Sequence, residues 1–285
     1  MKIGRLVYQT PVGAVMTERG DVSGMPRERE RMKFPFYENA PKEPIQACNL
    51  CGGRELRLVG MRDRYGLEAP TAECKGCGLK QLSLRMTPAA YKEFYEGGHY
   101  RDLLTKYYGK PFTAQSIENG QRIYAKRLAK WLDPDMAPVR GGLLLDLGGS
   151  TGVVAEYLAY TYNLDATVVE PSEREAERAR GRGLAVAQVP VSEYANGGNH
   201  YDLVTMCQTV DHLLDIKGDL ERVRGWVAPG GKFFVDFAHG GARKIDHPFD
   251  LTPATMAAYL TAAGFKPERM EKVPGRRTVN VLCSV

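Results

Sequence analysis

No stretch of this 285-residue chain is apolar for long enough to span a bilayer. The residues after Met1 (Lys2, Ile3, Gly4, Arg5) run into mixed polar sequence rather than a signal-peptide core. These absences exclude a membrane span and make the cytoplasm the expected location, where thiols stay reduced and can hold a metal. Internal repeats and low-complexity tracts are missing too, which excludes repeat architectures. Dense Lys/Arg clusters interleaved with aromatics are also lacking, so nucleic acid is not the expected partner. What remains, 43% hydrophobic and 26% charged, is a soluble globular protein with room for one ordinary domain and a small module.

The net charge of +5 is unevenly placed. Residues 45–132 carry 15 basic and 8 acidic side chains, whereas residues from 133 onward carry 16 and 20. A basic front suits an anionic small-molecule substrate, although solvated surface charge accounts for it equally well.

Cysteine is scarce, and four of the six are arranged as Cys48-Asn-Leu-Cys51-Gly-Gly and Cys74-Lys-Gly-Cys77-Gly-Leu. Each pair spans two residues and is followed by glycine, which permits the positive φ that turns both thiolates toward one ion. Two such knuckles supply the closed tetrahedral set of a structural Zn2+. Two disulfides are the alternative, and they would not need the glycines. Cys207 and Cys283 lie in apolar, strand-like stretches and read as buried packing.

Residues 1–44 read as an irregular, turn-rich extension in which Leu6, Val7 and Tyr8 could form a short strand. Residues 45–85 read as a zinc ribbon with strands at 55–59 and 80–84. Thr87 and Pro88 open a helix through Tyr91 and Phe94, followed by an aromatic-rich stretch and a long helix near 114–132 that Pro134 stops. From Gly141 strands and helices alternate, which predicts a parallel sheet covered on both faces over a domain at 86–285.

The first of these strands ends in Asp146-Leu-Gly148-Gly149-Ser150-Thr151-Gly152, where a helix begins. Glycines there let a ligand approach the backbone, and the helix N-terminus favours an anionic group. The dinucleotide fingerprint would need glycine at 150 and 153, where Ser150 and Val153 stand. Glu170 closes the second strand, placed to accept both hydroxyls of a ribose.

A strand, an Asp-x-Gly-x-x-x-Gly turn and an acid closing the next strand resemble class I S-adenosylmethionine-dependent methyltransferases. Val210 to Asp215 resembles the segment after the family's fourth strand, and Pro229-Gly230-Gly231 its turn before the fifth. Ser150 replaces the second motif glycine, with Gly149 beside it to supply flexibility, and Asp211 replaces the usual Glu. The resemblance implies an α/β, Rossmann-like methyltransferase sheet behind the small N-terminal zinc ribbon. It implies that Asp146, Gly148, Gly149 and Gly152 line the methionine portion of the cofactor S-adenosyl-L-methionine. It further assigns Glu170 to the ribose, Gln208 and Thr209 to the place beneath the sulfonium, and Val189 to Glu193 to the adenine. The paired-cysteine module followed by Tyr95-Glu-Gly-Gly-His99-Tyr100-Arg101 is similar to bacterial methyltransferases of surface-polysaccharide and antibiotic-sugar pathways. Sugar C-methyltransferases of that group are longer, so the resemblance implies the reaction class and not their particular substrate.

An oxygen or carbon nucleophile needs a base near neutral pH. His212, just after the fourth strand, is the first candidate, with local hydrogen bonding as its rival role. His239 and His247 follow, and His99 could reach in from the aromatic segment, where Tyr95, Tyr100 and Tyr108 could close over the ligands, Tyr100 against the cofactor. The leading expectation is a methyltransferase acting on a small polar molecule, a sugar or related metabolite. An RNA or protein acceptor ranks second, and a non-catalytic cofactor-binding protein third.

Overall fold

The computed structural model describes residues 32–240 and 244–285. The strand considered at Leu6 to Tyr8 lies outside them. The described chain opens with a short helix α1 (Pro35–Asn39) and strand β1 (Lys42–Pro44). Four strands follow: β2 (Leu56–Arg62), β3 (Glu68–Cys74), β4 (Lys80–Leu82) and β5 (Leu84–Met86). The single strand expected at 80–84 is thus two, separated by Ser83, whose N–H turns away to Pro70 O at 2.8 Å. β5 pairs antiparallel with β1, so the stretch expected to be irregular holds a helix at Pro35–Asn39 and a paired strand at Lys42–Pro44.

Helices α2 (Pro88–Glu96), α3 (His99–Tyr108) and α4 (Ala114–Leu132) come next. Thr87 caps α2 by accepting from Ala90 N, with Pro88 at its first position. The aromatic stretch is itself the helix α3, set off on both sides by left-handed glycines, Gly98 (φ +79°) and Gly109 (φ +65°).

The second half alternates as expected. It runs β6 (Leu143–Leu147), α5 (Val153–Tyr162), β7 (Asp165–Val169), α6 (Glu173–Arg180), β8 (Ala185–Ala187) and β9 (Tyr201–Met206). It then continues through α7 (Ile216–Arg224), β10 (Val227–Ala238), β11 (Phe249–Asp250), α8 (Pro253–Ala262), β12 (Lys266–Lys272) and β13 (Thr278–Ser284). Seven of these strands form one sheet in the order β12-β13-β10-β9-β6-β7-β8. Five are parallel, but β13 enters antiparallel between β10 and β12, so the sheet is mixed rather than wholly parallel. β12, the charged run Lys-Pro-Glu-Arg-Met-Glu-Lys, escapes a pattern search because an edge strand pairing with one neighbour needs no apolar face.

One face of the sheet packs on α7 and α8, and that core includes Cys48, Leu50, Cys74 and Leu79 of the ribbon. The other face packs under α4 and α5. A third cluster joins the ribbon to α2 and α3 through Tyr65, Leu67, Met86, Tyr91 and Phe94. The ribbon's sheet has the order β11-β4-β3-β2, so its fourth strand arrives from the segment after β10. Among the described residues no helix is long and apolar enough to cross a membrane.

Candidate functional site

The four knuckle sulfurs converge. All lie within 4.8 Å of one another, with Cys48–Cys77 and Cys51–Cys74 at 3.5 Å. A tetrahedron of Zn–S bonds of about 2.3 Å has edges of about 3.8 Å, so the donor set fits zinc. These separations are far from an S–S bond, and the cysteines are free thiols. Gly52 (φ +72°) and Gly78 (φ +75°) make the left-handed turns. The first knuckle is also anchored to the main body. Asn49, between its two ligands, donates to Asp215 Oδ1 at 2.8 Å and accepts from Tyr259 Oη at 2.9 Å.

At the carboxyl edge of the main sheet, the turn after β6 and the turn after β9 meet. Gly148 (φ +71°) has no room for a side chain, because a Cβ there would overlap the side chain of Thr209. Gly152 (φ +77°) starts α5. Ser150 itself takes the left-handed conformation (φ +51°), so the flexibility expected of Gly149 is not what the turn uses. Gly149 is required for space instead, since a Cβ would lie 2.7 Å from Asp146 Oδ2. Glu170 offsets the strain at Ser150 by accepting its N–H at 2.9 Å, and its other oxygen accepts from Ser172 N at 2.8 Å. Each oxygen keeps a second lone pair for a ligand hydroxyl. Burial, reinforced by neighbouring Glu175, pushes the Glu170 carboxyl up to about 8. Arg101 of α3 reaches over this turn, 2.5 Å from Glu175 Oε1 and 3.5 Å from Ser150 Oγ.

Gln208 is a second left-handed non-glycine residue (φ +53°), held by its N–H on Asp236 Oδ1 at 2.5 Å. Asp146 is wholly buried. Thr205 donates to its Oδ1 at 2.7 Å while Oδ2 has no hydrogen-bond partner among the described residues, and burial pushes its carboxyl up to about 6. An acid at the ribose position, a turn with no room for side chains and an open carboxylate oxygen beside it together fit S-adenosylmethionine. Glu193, of the segment assigned to the adenine, forms an ion pair with Lys92 of α2 at 3.0 Å.

His212 and His247 come together, their rings 4.6 Å apart, although they are 35 positions apart in sequence. His212 Nδ1 lies 2.9 Å from Asp246 O and 2.9 Å from Tyr95 Oη. A carbonyl accepts only, so the ring hydrogen belongs on Nδ1 and Nε2 carries the lone pair. Burial lowers the His212 pKa from 6.5 to about 4, keeping the ring neutral. Tyr100 stands 5.4 Å from the same ring, next to Arg101 over the glycine turn. The other two candidates lie apart. His239 has its Nδ1 3.4 Å from Leu251 O and, among the described residues, no contact with the pair. His99 stacks on Phe36 at 4.0 Å, because α3 turns it toward the ribbon side.

Several groups beside the histidine pair carried no sequence signal. Lys244 Nζ lies 3.1 Å from His247 Nε2, and Tyr65 Oη donates to Asp246 Oδ1 at 3.0 Å. The segment 244–250 is held from the front of the chain: Asp63 Oδ2 accepts from Ile245 N at 3.1 Å and Tyr91 Oη donates to Ile245 O at 2.8 Å. Asp211 is a strut, accepting Ala238 N at 2.9 Å, and burial pushes it up to about 7.

Comparison with known proteins gives a consistent picture. A family model described as a methyltransferase domain matches residues 117–268, more than half of the chain. A ubiquinone biosynthesis O-methyltransferase of Bordetella avium is 26% identical over 167 residues, 50% of this chain and 69% of that protein. The protein of the same description from Rhizobium leguminosarum bv. trifolii is 31% identical over 112 residues, 36% of this chain and 43% of its own length. The chain therefore spans less than half of the second relative. Among solved structures, magnesium protoporphyrin IX methyltransferase of Synechocystis PCC 6803 superposes with a TM-score of 0.51 at 15% identity, covering 68% of this chain and 94% of that one. That likeness is one of fold.

Proposed function

This chain belongs to the methyltransferase-domain family and has the fold of S-adenosylmethionine-dependent enzymes, and from that premise we propose that it methylates a hydroxyl of a small polar metabolite, a sugar or a relative of one, with His212 as the base. The observation that carries this reading is the His212 tautomer: Nδ1 fixed on Asp246 O at 2.9 Å and a neutral ring whose pKa burial has lowered to about 4. When bound, the cofactor supplies an electrophilic methyl group, so the protein's work is positioning and proton removal. Gly148, Gly149 and Gly152 let the cofactor approach the backbone, Glu170 accepts its ribose hydroxyls, and Gln208 and Thr209 lie under its reactive end. His212 Nε2 takes the acceptor proton while Tyr95 and Asp246 O hold the ring in place. Tyr100 and Arg101 close the site against water.

The polar acceptor is supported by a pocket between the ribbon and the main sheet, whose lining includes Thr71, Gln81, Asp211, Lys244, His247 and Asp250. Hydrogen-bonding groups of both signs suit a polyhydroxylated ligand. The oxygen acceptor is supported by the relatives, which are O-methyltransferases. Zinc held by Cys48, Cys51, Cys74 and Cys77 would fix the ribbon wall of that pocket. The extension at 1–44, the ribbon at 45–85 and the transfer domain at 86–285 are then divisions of chemistry. The pairing of β11 with β4 supports ribbon and transfer domain working as one unit.

The test is transfer of labelled methyl from S-adenosylmethionine to panels of sugars, nucleotide-linked sugars, phenols, RNA and protein. Label in a small polyhydroxylated acceptor, lost in His212→Gln, is the expected result. Label confined to RNA or protein would overturn it.

A further inference from the structure

The histidine pair has a third member, whose side chain proton removal does not use. A ring nitrogen of His212, a ring nitrogen of His247 and a carboxylate oxygen of Asp246 all lie within 4.8 Å of one another. Asp246 is 1% exposed, while both rings are partly open to solvent. Tyr65 Oη donates to Asp246 Oδ1 at 3.0 Å, but Oδ2 has no hydrogen-bond partner among the described residues. His247 Nε2 stands 3.5 Å from that oxygen.

That approach sets lone pair against lone pair. The Lys244 ammonium only donates, and it lies 3.1 Å from His247 Nε2, so this nitrogen accepts and the ring hydrogen is on Nδ1. An ionised Oδ2 likewise only accepts. Lys244 does not bridge the two, because among the described residues it forms no ion pair with Asp246. His212 brings a third lone pair, on Nε2, since its Nδ1 is committed to Asp246 O at 2.9 Å. Two imidazole nitrogens and one carboxylate oxygen are the donors that zinc and its neighbours take, with the remaining positions open to water. Bonds of about 2.1 Å to a tetrahedral ion need donors about 3.4 Å apart. The 3.5 Å between Nε2 and Oδ2 meets that requirement, and the whole set closes on an ion by small side-chain rotations. An entry path is present, for both Lys244 and His247 line the cavity between ribbon and main sheet.

We propose that His212, Asp246 and His247 form a second metal site, distinct from the four cysteines, for a divalent first-row transition ion, and that the ion silences the enzyme when bound. An ion here takes the lone pair with which His212 Nε2 would remove the acceptor proton, so occupancy and proton removal exclude each other. Lys244 has to give way, since its ammonium stands on one of the ligating nitrogens and repels a second cation. The site therefore fills only when metal is supplied beyond what the cysteines hold. The silencing rests on the base reading above, whereas the metal site stands on its own geometry.

The test is equilibrium dialysis of the zinc-loaded protein against cobalt(II), with both metals counted per chain. Zinc outranks cobalt at a given donor set, so the cysteines keep their ion and cobalt reports the second site. Native protein should retain its zinc and gain close to one cobalt per chain. Asp246→Asn (which can still accept from Tyr65), His247→Gln and His212→Gln should each weaken cobalt binding roughly 10- to 100-fold or more. Lys244→Met should do the opposite, tightening it roughly tenfold as a competing charge is removed. Retained zinc shows in each variant that the ribbon is folded. A native protein that gains no cobalt, or a gain unchanged in all three ligand variants, would overturn the metal site. Loss in Asp246→Asn and His247→Gln but not in His212→Gln would overturn the silencing, because the His212 lone pair would stay free. The methyl-transfer assay decides separately whether His212 is the base, so failure of that reading leaves the cobalt count standing.

Discussion

Replacing His212 with Gln should make the protein more resistant to acid as it abolishes catalysis. Gln can still donate to Asp246 O, so the bond that Nδ1 makes at 2.9 Å survives in kind. What disappears is a titrating ring. In the native fold burial holds the His212 pKa at about 4, against 6.5 for an unburied ring. Between those values the unfolded chain binds a proton that the folded protein refuses, so this group's contribution is neutral above about pH 7 and turns destabilising as pH falls. Complete development of the shift corresponds to about 3 kcal/mol at 1.36 kcal/mol per pH unit. At pH 5, with the ring partly exposed to solvent, about 1–2 kcal/mol is the reasonable share. The assay is urea denaturation of both proteins at pH 8 and pH 5. The buried acids Asp146, Asp236 and Glu170, whose pKa values are raised, push the opposite way, favouring the fold at low pH. They are common to both proteins and cancel in the difference. The variant should lose about 1–2 kcal/mol less than the native protein between the two pH values. Turnover should fall roughly 10²–10⁴-fold, with cofactor affinity retained. Parallel loss of stability in the two proteins would refute the neutral, buried ring, and with it the basis for naming His212 as the base.

Protein purified without added metal should contain close to one zinc per chain, and a strong chelator should lower its melting temperature, because Cys48 and Cys74 lie in the same core as the main sheet. A metal-free protein with the native melting curve would contradict that. Glu170→Ala should weaken S-adenosylhomocysteine binding by about 1.5–3 kcal/mol, measured calorimetrically, since it removes the acceptor for both ribose and Ser150 N–H. Ser150→Gly should stabilise the fold by up to about 1 kcal/mol by relieving the left-handed conformation at φ +51°, read as a raised denaturation midpoint. Gly148→Ala should do the reverse and impair cofactor binding, because its methyl group would displace Thr209.

The main outlines were legible in the sequence because they depend on short-range chemistry. The convergence of Cys48, Cys51, Cys74 and Cys77 is legible from spacing and glycine alone. The alternation after Gly141 gives the layered sheet, and Asp146 through Gly152 gives the glycine turn at its edge, on which Glu170 closes by accepting Ser150 N–H. The errors were local too. β3 hides behind Pro70 and two glutamates, and β12 behind alternating charge, since neither presents the apolar periodicity by which strands are recognised.

What only the tertiary structure decided is which distant groups meet. Sequence ranks His212 first and leaves His239 and His247 undivided behind it, yet packing joins His212 to His247 and leaves His239 on Leu251. Asp246 and Lys244 gain their positions from Tyr65 and from the His247 ring, across a ribbon strand that pairs with a segment more than 160 residues away. Asp236 and Asn280 become neighbours only because β10 and β13 pair in register. The residues that build a turn or a knuckle lie within a few bonds of one another, so sequence specifies them directly. A proton's destination or a buried charge's partner is set by burial and long-range pairing, which exist only once the chain has folded.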